Sequence, residues 1–150
     1  MELRLKFNED EQNYDRFRPG YPDALMQDVI ESFHAGTQSR IMEIGIGTGQ
    51  ATQPILDTGC DLTAVELGEN LARFVRDKFK QELRFQVILG DFMELELAEN
   101  SWDGIYSATA FHWLPPEAAL QKVLRLLKRQ GCLALFWNHP YPNRLEDPSN

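Results

Sequence analysis

The spacing of apolar positions changes several times along the chain, and each change marks a predicted element. Leu25, Met26, Val29, Ile30 and Phe33 recur three and four residues apart, on one face of a helix. The break Pro19-Gly20-Tyr21-Pro22 precedes that helix, and Gly36 is its expected stop. Residues 41–44 form a short apolar run leading into glycines, the pattern of a buried strand. A helix is predicted over 50–58, with Pro54 near its first turn, where a missing N–H does least harm, and Gly59 closing it. A strand follows over 62–65, then a helical stripe of Leu71, Phe74, Val75 and Phe79. Residues 85–89 and 104–107 read as further strands. Residues 117–127 read as a helix with Leu120, Val123, Leu124 and Leu127 inward, and 132–137 as a fifth strand.

Short apolar strands separated by helices require right-handed crossovers and a parallel sheet covered on both faces. The predicted fold is therefore α/β, a Rossmann-like doubly wound sheet with five parallel strands. The expected organisation is an arm over 1–21, a core over 22–138 and an irregular tail over 139–150 that carries Pro140, Pro142 and Pro148. Ligands in such sheets bind beyond the carboxyl ends of the strands, at the point where the strand order reverses.

Composition narrows the partners. With 150 residues, 43% apolar and 25% charged, the chain suits one ordinary globular domain. The net charge of −8 argues against nucleic acid, because phosphate contacts need a basic surface and Lys78, Lys80 and Arg84 are mixed with acids. A small-molecule substrate is favoured. No apolar run is long enough to span a bilayer, and Met1-Glu2-Leu3-Arg4-Leu5-Lys6 lacks a signal-peptide core. Cys60 and Cys132 are the only cysteines and neither has zinc-site spacing, so no metal and a reducing, cytoplasmic setting are expected.

The chemistry concentrates just after the predicted strands. Glu43-Ile44-Gly45-Ile46-Gly47-Thr48-Gly49 follows the first strand and opens a helix. Glycines allow a tight turn and close approach to a ligand, and the helix start offers free N–H groups. Glu66 ends the second strand, 21 residues after Gly45. A carboxylate there can accept from both hydroxyls of a ribose, although a lone acid is more often simply solvated. Gly90-Asp91-Phe92 ends the third strand. Asp91 can accept from an exocyclic amine and Phe92 can contact a purine; the bland alternative is an ordinary Gly-Asp turn.

Together these residues resemble class I S-adenosylmethionine-dependent methyltransferases, with Glu43 to Gly49 as the first motif and Glu66, Asp91 and Trp102-Asp103-Gly104-Ile105 as later ones. Tyr14-Asp15-Arg16-Phe17-Arg18-Pro19-Gly20-Tyr21-Pro22 and Phe111-His112-Trp113 resemble the small-molecule branch, which includes ubiquinone/menaquinone, trans-aconitate and malonyl-carrier-protein methyltransferases. The resemblance implies S-adenosylmethionine as cofactor. Gly45, Gly47, Thr48 and Gly49 would pass its methionine part, with Glu43 orienting that loop. Glu66 would hold the ribose and Leu67 flank the adenine. Asp91 would take the adenine amine, with Phe92 against the ring. Ala108 would lie near the amino-acid end, with Tyr14 and Arg18 of the arm covering the site. Phe111, His112 and Trp113 would face the acceptor. The family sheet ordinarily ends in an antiparallel hairpin after the fifth strand. The hairpin is missing from this reading, so a truncation point is expected in 139–150, with a sheet edge left open to self-association.

His112 has base chemistry near the expected site, needed only if the acceptor must lose a proton; otherwise it is part of an aromatic wall. Two other functions stay open. One is a non-catalytic S-adenosylmethionine-binding module or truncated fragment. The other is an NAD(P)-dependent oxidoreductase, whose fingerprint needs a glycine where this loop has Gln50.

Overall fold

The computed structural model describes residues 20–108, 111 and 114–136. These residues form one sheet of five parallel strands in the order β3-β2-β1-β4-β5. The strands are β1 (Arg40–Ile44), β2 (Asp61–Glu66), β3 (Phe85–Leu89), β4 (Trp102–Ala108) and β5 (Leu127–Phe136). The helices are α1 (Asp23–Phe33), α2 (Gln53–Leu56), α3 (Glu69–Lys78) and α4 (Pro116–Leu126). The doubly wound α/β architecture read from the sequence is therefore present. No helix among the described residues is long and apolar enough to cross a membrane.

β1 lies at the centre, and its residues after Arg40 are all buried, as both faces of a covered parallel strand must be. Successive side chains alternate between two cores. Ile41 joins Met26, Val29, Phe33, Leu62, Val75 and Tyr106 beneath α1 and α3. Met42 and Ile44 join Val65, Phe92, Trp102, Ile105, Val123 and Leu126 beneath α4. The chain builds β1, β2 and β3 in one direction, then returns to lay β4 and β5 on the other side of β1. Keeping every crossover right-handed while the direction reverses puts α4 on the opposite face from α3. In open sheets of this kind the reversal, here between β1 and β4, is where the ligand crevice is expected, beyond the carboxyl ends of the strands.

Three local expectations need correction. The first helix stops before Gly36: His34 takes the left-handed conformation at φ 52°, its N–H donates to Glu31 O, and the Ala35 N–H donates to Ile30 O. The helix predicted over 50–58 shrinks to Gln53–Leu56, because the preceding turns run through Gly45, Gly47 and Gly49 at positive φ and leave the helix only Thr52 onward. On α4 the buried stripe is Ala119, Lys122, Val123 and Leu126, whereas Leu120 and Leu124 are 40% and 72% exposed. The helix is thus rotated by about one position from the all-leucine stripe. Small Ala119 lets its backbone approach the sheet, and Leu127 leaves the helix to begin β5.

Gly104 illustrates how tightly β4 is covered. It pairs with Ile41 and Cys132, and a Cβ placed on it would lie 2.5 Å from Cγ of the Phe33 ring on α1. The ring root cannot swing away as a flexible tip could. Gly104→Ala is expected to lower unfolding free energy by about 1–3 kcal/mol through overpacking, read as a drop in urea midpoint with an unchanged slope. A midpoint equal to wild type would show that α1 yields without cost.

Candidate functional site

The crevice is built from the loop after β1 outward. The Gly45 N–H donates to Val65 O at 2.7 Å, which ties the loop's start to β2. Glu43 is buried at the loop's root. Its Oε1 accepts from Thr52 Oγ1 at 2.8 Å and from the Tyr106 hydroxyl at 2.7 Å. One carboxyl thus joins both ends of the glycine loop to β4. Burial raises the Glu43 carboxyl from its ordinary 4.5 to about 7; the hydroxyls of Tyr106 and Thr52 act against that, Glu66 adds to it, and Lys78 opposes it. Burial and the neighbouring Glu43 also push the Tyr106 phenol well above its usual value. Ser107 Oγ donates to Ile44 O at 2.8 Å, a second stitch between β4 and β1.

Glu66 sits at the end of β2, buried, with each carboxyl oxygen engaged. Oε1 accepts the Gly47 N–H and Oε2 the Gly68 N–H, both at 2.9 Å. Burial pushes its pKa above the ordinary carboxylate value, and the amides of Gly68, Gly47 and Leu67 act the other way. A carboxylate has about four lone-pair directions, so two amides leave capacity for further donors. Gly47 itself has φ +59°, and a Cβ there would meet no atom of the described residues within 4 Å. The backbone at this point faces open space beside the Glu66 carboxylate. Thr48 is fully buried, and its Oγ1 has no hydrogen-bond partner among the described residues.

The end of β3 is joined to Glu66 through the Gly90 N–H, which donates to Glu66 O at 2.9 Å. Asp91 is half-buried there, and its Oδ1 accepts the Met93 N–H at 2.9 Å. The Asp91 carbonyl accepts from Glu94 and Leu95. The Gly-Asp pair is therefore a turn former as well as a carboxylate at the end of β3. Phe92 is 3% exposed and packs in the core beneath α4. Leu67 and Ala108 are half-buried at the ends of β2 and β4, and Phe111 is buried in the same core as Phe92. Tyr14, Arg18, His112 and Trp113 lie outside the described residues.

The structure brings Glu43, Gly45, Gly47, Thr48, Gly49, Glu66 and Asp91 to neighbouring strand ends, as their placement after β1, β2 and β3 requires. It also adds residues that the motifs did not contain. Thr52 and Tyr106 hold Glu43, and Lys122 holds the turn after Asp91. Glu43 and Tyr106 are register partners across β1 and β4. That pairing is the signal that would have found Tyr106, and it needs the strand order. No group of three or more His, Cys, Asp or Glu among the described residues is placed to hold a metal ion.

A family model described as a methyltransferase domain matches residues 42–135. An uncharacterised methyltransferase of Mycobacterium tuberculosis is 31% identical over 137 residues, covering 91% of this chain and 54% of that protein. An uncharacterised methyltransferase of Schizosaccharomyces pombe is 30% identical over 133 residues, covering 88% and 52%. The chain thus spans about half the length of the curated relatives it matches. Among solved structures, a candidate S-adenosylmethionine-dependent methyltransferase from Methanococcus maripaludis superposes with a TM-score of 0.78 at 20% identity, over 99% of this chain and 72% of that one. A Haemonchus contortus phosphoethanolamine N-methyltransferase, solved with S-adenosyl-L-methionine, gives 0.70 at 19% identity, over 85% and 34%. These two likenesses describe the fold.

Proposed function

The chain belongs to the class I S-adenosylmethionine-dependent methyltransferase family, and from that premise we propose that its crevice binds S-adenosylmethionine and that the protein methylates a small-molecule acceptor. The observation that carries this reading is the space over Gly47, open among the described residues, beside the Glu66 carboxylate. A ligand can approach the backbone there without displacing a side chain of the described residues, and a ribose hydroxyl reaching Glu66 would meet an acceptor already oriented by two amides. The buried Thr48 hydroxyl, with no partner among the described residues, is a further unused polar group in the same loop. The donor set fits a nucleoside linked to an amino acid: glycine loop, ribose acceptor, then an acid one strand further on.

When bound, the cofactor supplies a sulfonium-activated methyl group, which needs little acid–base help. The chain's own residues bind and orient. Glu43 holds both ends of the glycine loop, Glu66 holds the ribose, Leu67 flanks the base, and Asp91 accepts its amine. Ala108 lines the amino-acid end. Tyr14 and Arg18 cover the site from the arm, while Phe111, His112 and Trp113 form the acceptor wall. His112 serves as a base only for acceptors that must lose a proton. Aligning nucleophile, methyl carbon and sulfur is worth up to about 7–11 kcal/mol, so orientation rather than proton transfer is the expected source of rate. The negative net charge favours a small molecule over nucleic acid as acceptor.

Calorimetric titration with S-adenosylhomocysteine and, separately, with NADH tests the reading: binding of the first alone is expected, and binding of NADH alone would overturn it. Glu66→Ala should weaken S-adenosylhomocysteine by about 1–3 kcal/mol, through loss of the ribose acceptor. Equal affinity in the variant would confine Glu66 to bracing Gly47 and Gly68.

A further inference from the structure

The turn that carries Asp91 is held from both ends, and the second hold comes from a residue with no part in the proposed cofactor contacts. At its start, the Asp91 carboxylate accepts the Met93 N–H and the Asp91 carbonyl accepts from Glu94 and Leu95. At its far end, Lys122 Nζ, reaching from α4, donates to the carbonyls of both Phe92 and Leu95. The same ammonium lies 5.0 Å from the centroid of the Phe92 ring. Lys122 is 8% exposed, unusual for a lysine. An ammonium buried this far is costly unless its N–H groups find acceptors, and here two carbonyls and a ring face meet it. A leucine or methionine at this place would fill the space and leave both carbonyls unpaired. Burial, with Arg125 nearby, lowers the basicity of Lys122, while Glu94 and Asp91 act in the opposite sense.

We propose that Lys122 is a positioning residue for nucleobase selection: by locking the Phe92 and Leu95 carbonyls it fixes the turn that aims the Asp91 carboxylate, and so makes the site prefer a 6-amino over a 6-oxo purine. The inference rests on the proposed binding of S-adenosylmethionine. It assigns Lys122 no contact with the ligand. Its effect passes through Asp91 alone, so it should appear in the choice between bases more than in affinity at large.

The test compares S-adenosylhomocysteine with S-inosylhomocysteine, which differ at the exocyclic group and, with it, at N1, an acceptor in adenine and an N–H donor in hypoxanthine, by calorimetry on the whole chain. Wild type is expected to prefer the adenine form by about tenfold or more, the scale of a hydrogen bond to a charged acceptor. Lys122→Met should bring the ratio toward one while changing affinity for the inosine form less than about threefold. Lys122→Arg, which keeps the cation, should restore the preference. An unchanged ratio in Lys122→Met, or an equal loss for both ligands, would overturn the proposal and leave Lys122 a packing residue. Should Lys122→Met fail to fold, Lys122→Gln, with one amide donor, is expected to give an intermediate ratio, and a wild-type ratio there overturns the proposal equally. Wild type binding neither ligand would overturn the cofactor reading itself, which separates that failure from a failure of the Lys122 step.

Discussion

Gly47→Val is expected to leave the protein folded and to abolish binding of S-adenosylhomocysteine. The reason lies in what surrounds the α-carbon. At φ +59°, with no atom of the described residues within 4 Å of the place a Cβ would occupy, Gly47 borders open space among those residues rather than the core. A valine there carries backbone strain of about 1–2 kcal/mol, since L-residues avoid the left-handed region. A domain with about 5–15 kcal/mol of stability survives that. Its two methyl groups, however, project into the space a ligand must enter. Overlap costing about 3 kcal/mol or more means at least about a hundredfold loss of affinity. Gly49 makes the contrast: at φ +89°, a Cβ would fall 2.7 Å from the Phe79 ring, so the same change there strikes the protein itself. Thermal melting beside calorimetry separates the two. Retained affinity in Gly47→Val would remove the loop from the binding site, and global unfolding would reassign Gly47 to the fold.

Glu43→Gln should make stability less dependent on pH. The Glu43 carboxyl titrates near 7 in the folded chain against an ordinary 4.5, because burial outweighs the two hydroxyls that donate to it. With the folded value raised, the native state binds more protons than the unfolded chain between those two values. Glu43 therefore contributes stability that is complete below about 4.5 and is lost as the pH rises through about 7. The interval corresponds to about 3 kcal/mol. Glutamine keeps an oxygen to accept from Thr52 and Tyr106 but does not titrate. Any fixed cost of burying its amide is the same at every pH. The unfolding free energy of the variant relative to wild type is thus expected to rise by about 3 kcal/mol between roughly pH 4 and pH 8. Glu66, whose carboxyl is also raised by burial, titrates in both proteins, so the difference reports Glu43 together with its coupling to Glu66. Urea unfolding across that range measures it; parallel profiles would mean that Glu43 is ionised in the fold at no cost.

Much of this protein was legible along the chain. The third strand runs from Phe85 to Leu89 as its apolar run predicts, and β1 and β2 extend the predicted runs by one residue or one at each end. Continuous apolar runs and helical stripes are local patterns, so strand, helix and class of fold follow from them. The glycine loop, Glu66 and Asp91 were legible for the same reason: each stands next to the strand that carries it. Two misses were local, the stop of α1 at His34 and the shortening of α2 by the glycine turns; the others depend on contacts between distant residues. Leu120 and Leu124 look like a core stripe, yet the rotation of α4 is set by how closely its backbone meets the sheet, and Ala119 and the stem of Lys122 take the inward positions. Tyr106 is an unremarkable strand residue until β4 pairs with β1 and sets its hydroxyl against Glu43. Lys122 is absent from the predicted inward stripe, and only the fold brings the two carbonyls of the turn after β3 to it. Periodicity and spacing determined which elements exist and where the loop glycines and the strand-end acids stand. Only the packed sheet decided which polar side chains are buried, and therefore paired or shifted in charge, because burial depends on neighbours that sequence distance does not record.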